Sequence, residues 1–224
     1  DDDVEADPGW LAAFVQAHRA SPDTVLQGLT DADPTELARS GPFNRSRDVL
    51  GPSQWYPSCN IAYPRALLED LGGFSERYTH AWGEDADLGW RARKTGHDAD
   101  FVSSARVRHA VHQVGLVGWL RDAVRLQDTA LAVTSHPELR RALHRRLFLI
   151  PEHERLLGVL AALVLARRTR GASLALAVPY VLMRRRLHGG WAGALAAIPG
   201  YMLIDAVEIT ALAIGSARNG TFVL

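Results

Sequence analysis

The chain has 224 residues, a single cysteine (Cys59) and a formal net charge of zero. One cysteine excludes an intrachain disulfide and a cysteine-based zinc cluster, fits a reducing compartment, and leaves a chain long enough for one well-packed domain plus an appendage. The zero hides a division: residues 1–114 carry 11 basic and 18 acidic side chains, whereas residues 115–188 carry 13 basic and 5 acidic ones, so the two parts are expected to do different work.

Three aspartates, Asp1-Asp2-Asp3, open the chain, as expected just after a buried strand, since carboxylates emerge at strand C-termini in open α/β sheets. Asp7 is expected to cap a helix with Pro8 in its first turn, and Trp10, Leu11, Phe14, Val15 and His18 recur on one face. The β-prone run 24–29 predicts a strand. Residues 31–57 are rich in Pro, Gly, Ser, Asn and Asp and predict a long loop with a short helix near 35–39. Its Arg45, Arg47, Trp55 and Tyr56 suit a lid over a polar ligand. Residues 58–63 read as a strand, 64–71 as a helix, and Gly72-Gly73 as a tight reversal. Asn60 is either a backbone-bonding polar residue or a ligand contact.

Gly83-Glu84-Asp85-Ala86-Asp87-Leu88-Gly89-Trp90-Arg91 places three carboxylates on the first turn of a helix that ends at Gly96. A helix N-terminus favours acidic side chains, so capping alone accounts for part of this pattern. Two short β-prone runs follow, 99–102 and 105–109, the second closing on His109. Carboxylates with a histidine suit a divalent metal.

Four motifs in this order, Asp1-Asp2-Asp3, Asn60-Ile61-Ala62 with Gly72-Gly73-Phe74, the acidic helix and the strand closing on His109, resemble family 2 glycosyltransferases over residues 1 to about 114. The resemblance implies a GT-A fold, a Rossmann-like sheet that binds a nucleotide-sugar with Mg2+ or Mn2+. It makes the triple aspartate the D-x-D motif, with Asp1 and Asp3 at the metal–nucleotide site together with His109, Asp3 the direct metal contact and Asp1 nearer the ribose, and with Asp2 and Asn60 on the nucleotide side. It makes His109 the closing histidine of the metal shell, an assignment that the neighbouring His112 leaves open. It makes Asp85 the catalytic base of an inverting transfer, with Glu84 the runner-up. Asp87 and Arg91 are read as an i,i+4 bridge. Trp82, Trp90 and Arg91 fall on the acceptor side, Trp82 either stacking on a sugar or packing. The half of that domain expected before the D-x-D motif has no counterpart here, so the chain is expected to be a fragment and, alone, a poor catalyst.

Residues 115–224 are expected to form a helical tail, with one helix over 115–135 and another over 137–149. The apolar runs 156–166 and 172–183 are too short to span a bilayer, and 191–216 is long enough but contains Asp205 and Glu208, which are costly in lipid unless they face protein or water. Two readings stand: helices in the membrane interface with the arginines of 167–170 and 184–186 on anionic headgroups, or a soluble bundle. The arginine bias would put the catalytic part on the cytoplasmic side, facing a cell-envelope glycan or lipid-linked acceptor. A non-catalytic sugar-nucleotide or glycan-binding module is the alternative function. A nucleic-acid binder is disfavoured because the basic tail lacks aromatic stacking platforms.

Overall fold

The computed structural model describes residues 2–186 and 191–224; Asp1 lies outside them. The chain is mixed α/β and forms two compact units, Asp1–Val114 with Ser135–Leu139, and Gly115–Thr134 with Arg140–Leu224.

The first unit is built on a four-stranded mixed sheet of order β1-β4-β2-β3, with β1 Val4–Ala6, β2 Val25–Ala32, β3 Ile61–Ala62 and β4 Ala99–His109. Strands β2 and β4 run parallel at the centre, and the edge strands are antiparallel to them. Successive residues of β2 point to opposite faces. Val25 packs with Tyr56, Leu67 and Ala92 beneath helices α3 (Arg65–Leu71) and α4 (Glu84–Lys94). Leu26 packs with Phe14 and Ala105 on the other face, beneath helix α1 (Trp10–Ala20). Both faces of the central pair are therefore covered.

Several expected elements differ. The side chain of Asp7 does not cap α1, because the helix starts two residues later at Gly9, which takes φ 90°; Asp7 pairs instead with Arg108 of β4 (3.1 Å). Residues 58–63 hold one turn of 3-10 helix, Ser58–Asn60, before the two-residue β3. The two short runs after α4 are one strand, broken in register: Gly28 pairs with Val102 but Leu29 pairs with Arg106. Three residues, Ser103 to Ala105, are thus looped out of the ladder. A short helix α2, Pro34–Ala38, falls within the expected loop, capped by Asp33.

The second unit is helical. The expected helix over 115–135 is α5 (Gly115–Asp122) and α6 (Asp128–Ser135) joined by a 3-10 turn. The expected helix over 137–149 is absent: a 3-10 turn, Pro137–Arg141, gives way to tight turns with Arg145 and Arg146 at φ 50° and 61°. Positive φ at two successive residues is incompatible with a right-handed helix, whatever the apolar spacing suggests. Helices α7 (Pro151–Leu165), α8 (Val178–Arg186) and α9 (Trp191–Asn219) follow. Asp205 and Glu208 of α9 are buried and face protein: Asp205 accepts from Tyr180 and Arg184 (both 2.6 Å), and Glu208 meets His153 (3.0 Å). Among the described residues, α9 is the one helix long and apolar enough to cross a membrane.

Candidate metal and catalytic site

The first turn of the chain and the end of β4 are brought together by the β1–β4 pairing, in which Val4 lies opposite His109 and Ala110 donates its backbone N–H to the Asp3 carbonyl (2.9 Å). Asp3 Oδ2 lies 2.9 Å from His112 Nε2 and 3.7 Å from His109 Nε2. Among the described residues, Asp3, His109 and His112 form a group able to hold a metal ion, with one ligand atom from each within 4.8 Å of the others. The His109 ring donates its Nδ1–H to the Ala110 carbonyl (2.9 Å), which orients the ring so that Nε2 is the atom turned to Asp3. Burial pushes the Asp3 carboxyl up, but the hydrogen bond with His112 and the charge of His109 outweigh it. The net result is a carboxyl below its ordinary pKa. An ionised carboxylate and two imidazoles form a mixed O/N donor set, which suits Mn2+ better than the all-oxygen preference of Mg2+. The sequence left open whether His109 or His112 closes the site; the geometry brings both to Asp3. Asp2 is exposed beside it.

Asp85 sits on the first turn of α4, whose N-cap Gly83 takes φ 92°. The Ser58 backbone N–H donates to Asp85 Oδ2 (3.0 Å), while Oδ1 is buried with no hydrogen-bond partner. Burial raises the Asp85 pKa, against the opposing pull of Ser58 and of the Arg47 charge. A carboxylate with one anchored oxygen and one unpartnered oxygen is poised to accept a proton. Glu84 is half-buried beside it.

Two residues farther on, Asp87 has the opposite environment. The expected bridge to Arg91 is present (2.8 Å), but Asp87 is buried, at 5% exposure, and also meets His136 Nε2 (2.9 Å). Burial alone would raise its pKa; the hydrogen bonds from His136 and Arg91 overcome that and lower it. Arg91 further donates to the carbonyls of Leu71 (2.8 Å) and Gly73 (2.6 Å). The i,i+4 pair is therefore the centre of a network that ties α4 to the Gly72-Gly73 reversal and to the Ser135–Leu139 segment. His136, 49 residues away in sequence, is a partner that local patterns do not signal.

The chain matches no described protein family, no curated protein and no solved structure. Its chemistry therefore rests on the residues themselves. Trp90 and Arg91, expected on the acceptor side, are engaged by the scaffold: Trp90 donates its indole N–H to the Gln54 carbonyl (3.1 Å) and packs edge-on against Tyr56. Gly89 makes that packing possible, since a Cβ there would lie 2.1 Å from the Tyr56 ring. Asn60 follows the backbone-bonding alternative. It is buried, donates to the carbonyls of Leu29 and Ala105 (both 2.8 Å) and accepts from the Trp10 indole (2.9 Å). The two carbonyls flank the break in the β2–β4 ladder, so the Asn60 amide replaces the strand pairing lost there. Trp82 remains at the surface of the site, with the Arg47 guanidinium 5.7 Å from its ring centre. Asp1, expected near the ribose, lies outside the described residues.

Proposed function

We propose that this chain carries the metal and base residues of an inverting, metal-dependent glycosyltransferase of GT-A, Rossmann-like type, transferring a sugar from a nucleotide-sugar to a cell-envelope glycan or lipid-linked acceptor. The observation that carries the reading is the pairing, in one unit, of the Asp3–His109–His112 group with a carboxylate, Asp85, that has one buried, unpartnered oxygen. Asp3, His109 and His112 would hold Mn2+, which supplies charge neutralisation for a diphosphate leaving group. Asp85 Oδ1 takes the proton of the acceptor hydroxyl as that oxygen bonds to the anomeric carbon. The bond from that carbon to the phosphate oxygen breaks, and the nucleoside diphosphate departs. Ser58 N–H holds Asp85 Oδ2, so the base keeps its orientation as it gains the proton.

The helical unit supports a membrane-proximal location, and the arginine bias of the sequence is the reason for proposing the cytoplasmic face. Leu160, Leu163 and Val164 of α7, Val178 and Leu182 of α8, and Leu195 and Leu203 of α9 are exposed. Arg167, Arg168 and Arg170 follow directly after α7, where apolar side chains and arginines together suit an anionic lipid interface. The enclosed pairs of Asp205 and Glu208 remove the main objection to apolar surroundings for α9.

Titration calorimetry of nucleoside diphosphates into the full-length protein, with and without Mn2+, tests the assignment. Binding that requires Mn2+, is lost in Asp3→Ala and is kept in Asp85→Asn is the expected result; binding indifferent to both metal and Asp3 refutes it.

A further inference from the structure

Residues 45–49 of the long loop are fastened to the sheet at both ends. Arg45 exchanges backbone hydrogen bonds with His112 (2.9 and 2.8 Å), and Val49 does so with Thr30 (3.1 and 2.8 Å). Ser46 Oγ donates to the His109 carbonyl (3.3 Å), and Asp48 accepts from the Ala32 N–H (2.9 Å). Arg47 is the middle residue of this strap, one step from the metal-binding end of β4. Its side chain is exposed and lies over Trp82, three residues before Asp85. Arg91, Arg106 and Arg108 each have a carboxylate of the protein as partner. The Arg47 guanidinium, among the described residues, has the Trp82 ring and no hydrogen bond or ion pair to protein. Trp82 directly precedes Gly83, the N-cap of α4, so Arg47 stands at the end of that helix that carries Asp85, and its charge opposes the effect of burial on the Asp85 carboxyl.

A guanidinium that lies against an indole face keeps its edge N–H groups free, and that fork matches the paired oxygens of a phosphate or carboxylate. In an inverting transfer the base stands on the acceptor's side of the anomeric carbon, opposite the departing diphosphate. A cation beside the base is placed to meet the acceptor. We propose that Arg47, held against Trp82, binds an oxyanion on the acceptor, so that the acceptor of this site is a phosphate- or carboxylate-bearing glycan or lipid. This rests on the reading of Asp85 as the base. The strap explains how a loop residue attains the precision such recognition needs: both of its flanks are tied to β2 and to the β4 end, so the position of Arg47 is set by the sheet.

The test is titration of methyl phosphate, glucuronate and, as a neutral control, methyl glucoside into the full-length protein and its Arg47→Ala, Arg47→Lys and Asp3→Ala variants. Arg47 is exposed, so its replacement leaves the fold intact, and a thermal melt checks this. The expected result is a loss of tenfold or more in affinity for an oxyanion probe in Arg47→Ala, a smaller loss in Arg47→Lys and no change in Asp3→Ala. Whichever of methyl phosphate and glucuronate binds more tightly names the acceptor's group. Equal binding by wild type and Arg47→Ala, no binding of either oxyanion, or loss in Asp3→Ala to the same extent, overturns the proposal. Mn2+-dependent binding of a nucleoside diphosphate is measured on the same samples and should be unchanged in Arg47→Ala. Its absence from the wild type would refute the transferase reading separately from the oxyanion result.

Discussion

Replacing Asn60 by alanine separates scaffold from ligand contact. The side chain makes three hydrogen bonds, to the Leu29 and Ala105 carbonyls and from the Trp10 indole. Alanine leaves all three partners without a mate. Two of them are partly buried and can recruit water, at about 1 kcal/mol each; the bond to Ala105 is buried, and an orphaned buried carbonyl costs about 1–3 kcal/mol. The sum, about 3–5 kcal/mol, is a large part of the 5–15 kcal/mol typical of a domain. Urea unfolding followed by far-ultraviolet circular dichroism should therefore show a much lower midpoint at unchanged slope. Under folding conditions, Mn2+-dependent nucleotide binding should persist. A loss below about 1 kcal/mol accompanied by abolished nucleotide binding would refute the reasoning, because that is the behaviour of a ligand contact. Gly28→Ala probes the same junction from the other side, since its Cβ would lie 2.2 Å from Asn60 Nδ2 and 2.6 Å from the Ala105 carbonyl oxygen. It should be strongly destabilising, and less so in an Asn60→Ala background, where one of the two clashes is gone.

Asp85→Asn should abolish transfer by a factor of roughly 100 or more while raising stability at neutral pH. The sign follows from burial, which lifts the folded-state pKa of Asp85. Protonated Asp85 favours folding below the unfolded value of about 3.9, and that contribution is lost as pH rises through the folded pKa. The stability gain of the variant should therefore grow from about pH 4 upward and then level off; a variant less stable than wild type at pH 7 contradicts it. Asp87→Ala should behave in the opposite way. The lowered pKa of Asp87 means its stabilisation is present above about pH 3.9 and disappears as pH falls through the folded pKa. Its removal should cost about 3 kcal/mol at pH 7, at the low end for a broken buried pair because Arg91 is a quarter exposed. Chemical denaturation across pH 3–8 reads both variants. For the helical unit, Leu163→Asp with Val164→Asp should abolish flotation with anionic vesicles. Replacing Arg167, Arg168 and Arg170 by glutamine should weaken it by roughly 3 kcal/mol, at about 1 kcal/mol for each arginine. A protein that stays unbound with anionic vesicles at low salt refutes the membrane assignment.

The acidic helix was legible because its signals are local: carboxylates in the first turn, glycines at both ends and arginines in the last turn. Strand β2 was legible for the same reason, as a short β-prone run between turn residues. What stayed hidden depends on distant chain. The role of Asn60 follows from a register break between β2 and β4, which no window around residue 60 contains. The burial of Asp87 depends on His136, and a helical pattern alone makes the Asp87–Arg91 pair look like a surface bridge. Residues 137–149 carry helical apolar spacing, but spacing does not report the positive φ of Arg145 and Arg146 that ends any helix there. Asp205 and Glu208 looked costly in an apolar helix until their partners on α7 and α8 were placed.

The most direct test of the central claim is release of nucleoside diphosphate from a panel of nucleotide-sugars by the full-length protein with Mn2+, as a function of pH, for wild type, Asp3→Ala and Asp85→Asn. The account predicts metal-dependent release with one preferred donor and an acid limb set by a carboxylate of raised pKa. It also predicts near-complete loss in both variants, with nucleotide binding lost only in Asp3→Ala. Turnover that survives in Asp85→Asn with its acid limb unchanged, or that proceeds equally well without metal, would contradict it.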